Sequence, residues 1–161
     1  METNHDARPG LGGIVNMIID HIGIVVRSLD EGVKHWEKVF GYKRKTENVI
    51  NTRQKVSVVF LEKTGSLPVK LIAPTDESSP IASHAKRGGG MHHLCFLCDN
   101  IEEELLRLKK EGLHLLAPPQ PGEAFENENI AFIYAGKGLN IELIDTKKRA
   151  QIITDEHFSK L

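Results

Sequence analysis

Shifted by 72 positions, the sequence lies on top of itself. Asp20-His21-Ile22-Gly23-Ile24 falls on His92-His93-Leu94-Cys95-Phe96, Ser28 on Asn100 and Glu31 on Glu103. Further on, Val59-Phe60-Leu61 falls on Ala131-Phe132-Ile133, and Lys70-Leu71-Ile72 on Glu142-Leu143-Ile144. A repeat unit of this kind cannot bury its apolar face alone, so the two copies must pack into one body. At 161 residues the chain is long enough for that body to hold a real core.

The local signals repeat with the same offset. Ile18 to Val26 is an apolar, β-branched run and reads as a strand. Ser28-Leu29-Asp30-Glu31 is a capping box, in which the Ser oxygen accepts from the third helical N–H and Glu reaches back. Leu29, Val33, Trp36 and Phe40 then recur at helical spacing, and Gly41 offers the left-handed stop. In the second half Asn100 to Glu103 repeats the box, Ile101, Leu105 and Leu108 form the stripe, and Gly112 ends it. Strand-length apolar stretches follow each helix: about 42–49, 56–62 and 69–74, then 114–117, 130–134 and 140–144. The reading is an α+β chain of two tandem βαβββ modules, forming a curved mixed sheet around a central cleft. Its expected limits are a flexible tail over 1–17, one domain over 18–146 and a charged tail over 147–161. Ile152 to Phe158 could add a turn of helix there. Within the domain, module 1 spans about 18–74, a linker 75–90 and module 2 about 91–146.

Three stretches carry their own expectations. In the linker, Ser78-Ser79-Pro80 can start a short helix with Pro at its first position, ending at Gly88-Gly89-Gly90. The polar, proline-rich stretch 118–129 is long for a compact domain and reads as a lid over a cleft. Cys95 and Cys98 have redox spacing, but on a strand residues three apart face opposite ways, so they read as structural thiols. Net charge is −1, which argues against a dedicated nucleic-acid or membrane-surface binder. The apolar run over 14–26 is interrupted by Asn16, Asp20 and His21, so neither a signal peptide nor a spanning helix is read and the default is cytoplasmic. The local basic run Lys43, Arg44, Lys45, Arg53 and Lys55 fits a solvated strand edge or the rim of a site for an anionic substrate.

The repeat singles out four positions, on the first and last strand of each half: His21, Lys70, His93 and Glu142. A pseudo-twofold axis would bring them together in the cleft. A lone His on an apolar strand is usually a satisfied core residue. Two imidazoles and a carboxylate that converge, however, form a facial triad with open positions, suited to Zn, Co, Ni, Mn or Fe. His92, one residue off register, is expected to point to the opposite face.

The residues 20–26, Ser79-Pro80-Ile81-Ala82, Gly90-Met91-His92-His93-Leu94, Ile130-Ala131-Phe132 and Ile141-Glu142-Leu143 together resemble the vicinal-oxygen-chelate superfamily of glyoxalases, bleomycin resistance proteins and dioxygenases. Within it they are most similar to methylmalonyl-CoA epimerase-like and glyoxalase-like proteins. The resemblance implies a divalent metal held by His, Gln or Glu, His and Glu. His21, His93 and Glu142 match these ligands, while Lys70 stands where Gln or Glu is expected. With Lys70 there, the amine is neutral, or it swings away, or no metal binds. The implied chemistry is that of an epimerase, isomerase or lyase that abstracts a proton next to a carbonyl through a metal-stabilised enolate. Glu142 is then one catalytic base, Glu47 a second, and Lys70 a substrate-binding cation. The implied substrate is a small molecule, such as an acyl-CoA thioester meeting the basic run, and exposed strand edges favour a homodimer. Two rival readings are an Fe(II) dioxygenase using the same triad and a metal-free binding protein of the bleomycin-resistance type.

Overall fold

A computed structural model describes residues 15–154. In it the repeat becomes a nine-stranded mixed sheet with three helices. The first half runs β1 (Ile18–Val25), α1 (Leu29–Phe40), β2 (Lys43–Arg44), β3 (Val49–Asn51), β4 (Val56–Glu62) and β5 (Val69–Pro74). After the short helix α2 (Ala82–Lys86), the second half runs β6 (Gly90–Leu97), α3 (Ile101–Lys110), β7 (His114–Gly122), β8 (Glu128–Tyr134) and β9 (Asn140–Ile144). The sheet order is β2-β4-β5-β1-β6-β9-β8-β7, with β3 on β4. The two first strands, β1 and β6, meet antiparallel at the centre, and each pairs in parallel with the last strand of its own half. The pairs His21↔Cys95 and Gly23↔His93 exchange under the 72-residue shift, so the pseudo-twofold axis runs between them.

Alternation along the strands separates three apolar clusters. Tyr42, Val59, Leu61, Val69 and Leu71 pack with Leu29 and Val33 of α1, while Ala131, Ile133, Ile141 and Leu143 pack with Ile101 and Leu108 of α3. The other face of the same strands gathers Val25, Val58, Phe60, Ile72, Cys95, Ile130 and Ile144 into a shared central cluster. His21, Lys70, His93 and Glu142 belong to this face. Both helices start as their boxes predict: Ser28 Oγ accepts from Glu31 N, and Asn100 Oδ1 from Glu103 N.

Four expectations change. The stretch 118–129 is no lid: β7 continues to Gly122, then a 3-10 turn over Glu123–Phe125 buries Ala124 and Phe125 in the central cluster. Pro118, Pro119 and Pro121 are tolerated because β7 is an edge strand, where a missing N–H costs no ladder bond. The strand expected over 42–49 is broken into β2 and β3, because Thr46 bridges Ile152 instead and its hydroxyl accepts from Phe60 N. In the linker, Pro80 lies in the turn before α2 rather than at its first position. The C-terminal stretch from 147 to 154 is not a loose tail. Ile153 N donates to Lys45 O, Glu47 N to Gln151 O and Ala150 N to Ala124 O, which straps it across the break between β2 and β3 and onto the 3-10 turn of module 2. The rest of both expected tails, 1–14 and 155–161, lies outside the described residues. No described helix is long and apolar enough to cross a membrane.

Candidate metal centre

Gly23 makes the centre possible. A Cβ at this position would lie 2.2 Å from His93 Cε1, so only glycine lets the imidazole lie across β1. With the ring there, His21, His93 and Glu142 bring one ligand atom each to within 4.8 Å of one another, and all three are buried. Glu142 Oε1 is 3.1 Å from His21 Nε2 and 3.8 Å from His93 Nε2. Neither Nε2 has a hydrogen-bond partner with good geometry, and buried nitrogens left this way call for one. Lys70, the fourth member of the repeat set, lies 3.0 Å from Glu142 Oε2 with its ammonium 5.0 Å from the centre of the Phe125 ring.

Each partner has a reason for its protonation state. Burial alone would raise Glu142, but the Lys70 ammonium, with His93 and His21, holds its carboxyl well below the usual range. Burial pushes His93 well below its ordinary value, with Lys70 acting the same way and Glu142 opposing, which favours the neutral imidazole. Two imidazole nitrogens and a carboxylate oxygen that converge in this way suit a divalent ion. The separations of 3.1 and 3.8 Å would let His21, His93 and Glu142 hold one ion together. The Lys70 ammonium lies on the far carboxylate oxygen, where it neutralises Glu142 and works against a second cation.

Glu47 does not join the cluster. Its side chain is 54% exposed and faces Arg44 across 3.8 Å. The basic run does not converge either: Lys45 faces Glu62, Lys55 bonds Ser78, and Arg53 alone stands at the mouth of the central cavity. His92 departs from expectation. The β1–β6 register steps from Gly23↔His93 to Ile24↔Met91, leaving His92 as a bulge residue. A bulge turns its extra side chain out of the alternation, and the His92 Nδ1 lies 2.8 Å from His93 Nδ1. Cys95 and Cys98 are both free and buried on opposite faces, and burial pushes Cys98 up to about 11. The cavity beside the centre holds about 370 Å³ and is lined by Gln54, Lys70, His92, His93, Asn140 and Glu142 among others. Phe125 and Asp20 are the contributors that periodicity could not reveal, since one lies in the presumed lid and the other is itself a bulge residue.

The duplicated βαβββ sheet and its buried His, His and Glu place the chain in a known class. The sequence profile of the Glyoxalase/Bleomycin resistance protein/Dioxygenase superfamily matches residues 20–134, and the chain belongs to that superfamily. Within it, methylmalonyl-CoA epimerases stand out among the similar proteins. The crystal structure of the Mycobacterium tuberculosis enzyme is 32% identical with a TM-score of 0.69, covering 78% of this chain and 85% of that one. The Streptomyces coelicolor enzyme in complex with 2-nitronate-propionyl-CoA is 27% identical with a TM-score of 0.67, covering 78% and 94%. The uncharacterized protein YqjC of Bacillus subtilis (strain 168) is 33% identical over 80% of this chain and 92% of its own length.

Proposed function

We propose that the chain is an isomerase that epimerises the carbon next to the carbonyl of an acyl-CoA thioester, with a divalent ion held by His21, His93 and Glu142. The observation that carries this reading is the convergence of two buried Nε2 atoms on one buried carboxylate, with His93 and Glu142 in the wall of a 370 Å³ cavity. Similarity to epimerases, one of them bound to an acyl-CoA analogue, supplies the substrate class. When bound, the ion supplies Lewis-acid polarisation of the substrate carbonyl.

The protein's own groups supply the rest. His21 and His93 present their Nε2 atoms, held by packing against Phe60, Phe125 and Phe132. Lys70 donates to Glu142 Oε2, which leaves Oε1 facing the imidazoles, and its positive charge lies beside the cavity where an enolate oxygen would form. Glu142 is the only carboxylate among the described residues lining that cavity, so it is our candidate for the group that takes the α-proton. Breaking the C–H bond moves the proton to Glu142 and leaves its electron pair in the enolate; Glu142 then releases that proton to solvent, and a proton from a solvent water at the opposite face closes the new C–H bond and inverts the centre.

The test is exchange of the α-proton of methylmalonyl-CoA with D2O, followed by mass spectrometry after chelation and after reloading with Co(II) or Zn(II). Exchange should depend on the ion and fall by at least a hundredfold in Glu142→Gln. No exchange under any loading, with oxygen uptake on Fe(II) instead, would replace this reading with the dioxygenase one.

A further inference from the structure

The two histidines of the centre are held in different ways. Each follows a bulge residue at the same place in its repeat: the register skips Asp20 between Ile19↔Phe96 and His21↔Cys95, and skips His92 in the second half. In both halves the bulged side chain turns onto the next residue's Nδ1. Asp20 Oδ2 lies 2.6 Å from His21 Nδ1, and His92 Nδ1 lies 2.8 Å from His93 Nδ1. An imidazole nitrogen can donate or accept, so the His92–His93 contact fixes neither ring's tautomer. An ionised carboxylate can only accept, so Asp20 requires a proton on His21 Nδ1 and turns Nε2 toward Glu142 Oε1, 3.1 Å away.

Asp20 is itself held from far along the chain. The Arg149 guanidinium donates to the same Oδ2 and lies 4.8 Å from the centres of both the Phe60 and the Phe125 ring, the two aromatics that also flank His21. Its side chain is 13% exposed. Its position is set on either side, by Ala150 N on Ala124 O and by the Ile152 bridge to Thr46. Burial opposes the charge on Asp20, but the bonds from His21 and Arg149 prevail and hold its carboxyl below its ordinary value.

We infer that Arg149 and Asp20 are positioning residues, a relay through which the C-terminal strap fixes the tautomer and orientation of His21 and so aims its Nε2 at Glu142. The inference rests on the reading that His21 Nε2 is a working atom of the centre, but its first test needs no metal and no substrate. Long-range 1H–15N spectra of the metal-free, 15N-histidine-labelled full chain report each tautomer directly. Wild type should show His21 in a single form, protonated on Nδ1. Asp20→Asn and Arg149→Ala should each give a mixture of forms, and Arg149→Lys, which keeps the charge on Asp20, should restore the single form. Competition of Co(II) against a chelator should show affinity falling 10- to 100-fold in Asp20→Asn, the range for losing a group that orients a ligand.

A wild-type His21 protonated on Nε2 but not on Nδ1 would overturn the relay, and that result stands even if every variant fails to fold. Folded Arg149→Ala with an unchanged tautomer and Co(II) affinity within twofold would overturn it as well. A tautomer that depends on Arg149 in a chain that exchanges no α-proton would uphold the relay and reject the proposed function, so the two failures are distinct.

Discussion

Lys70→Gln separates the two roles that Lys70 plays at once. Its ammonium lies 3.0 Å from Glu142 Oε2 and 3.4 Å from Oε1, with both side chains buried. Removing one partner of a buried pair leaves the other charge uncompensated, at a cost of about 3–5 kcal/mol. For a domain of this size that is a loss of roughly 10 °C in Tm. An ion on Oε1 would instead lie about 5 Å from the ammonium, where a unit charge and a double charge repel by about 7 kcal/mol at an effective dielectric of about 20. Lysine can relax and part of that is recovered, so only about a fifth of it is required here: a tenfold gain in affinity for the ion, about 1.4 kcal/mol. The variant should thus be the less stable protein in chelator and the tighter metal binder. Urea unfolding in EDTA and Co(II) titration followed in the visible absorbance measure the two arms. A variant that binds Co(II) no more tightly than wild type would refute the argument that Lys70 competes with the ion.

Stability without metal should depend on pH in a defined direction. Burial lowers both His92 and His93, so the unfolded chain binds protons that the folded one refuses as pH drops below about 6.5. Unfolding free energy should be level above pH 7 and fall below it by up to about 1.4 kcal/mol per pH unit for each histidine; His93→Gln should remove one proton's worth of that slope in urea titrations. Glu142, held low, adds stability present above about pH 4.5 that is lost as pH falls through its lower folded value. Gly23→Ala places a methyl 2.2 Å from the His93 ring, an overpacking worth about 1–3 kcal/mol; a melt should show several degrees lost, together with weaker Co(II) binding. Glu47→Gln should keep α-proton exchange within about twofold of wild type, because the side chain is exposed and pairs with Arg44; a hundredfold loss would make it the second base.

The sequence carried the fold because the repeat carried it. The offset that sets His93 on His21 and Glu142 on Lys70 is the one the sheet uses, with β1∥β5 and β6∥β9 in matching register. The four central residues were legible for the same reason. Other features were not, and each for a physical reason. A β-bulge leaves no mark on an alternating pattern, so His92 was assigned to the opposite face by period alone and the contact of Asp20 with His21 went unseen. Phe125 lies in a stretch whose prolines and polar residues mimic a surface loop, yet it is fully buried against His21 and Phe60. The C-terminal strap is held by a few backbone bonds and one arginine, which no periodicity announces. Glu47 sits beside that strap, where the first module's outer strand is interrupted.

The most direct test of the central claim is a crystal structure of the chain soaked in Co(II), with data collected at the cobalt edge. One anomalous peak is expected, bonded to His21 Nε2, His93 Nε2 and Glu142 Oε1 at about 2.1 Å each, with the Lys70 amine directed to Glu142 Oε2 or away. No peak at full soaking, with Lys70 still paired to Glu142, would contradict it and leave the lysine as the only cation of the site.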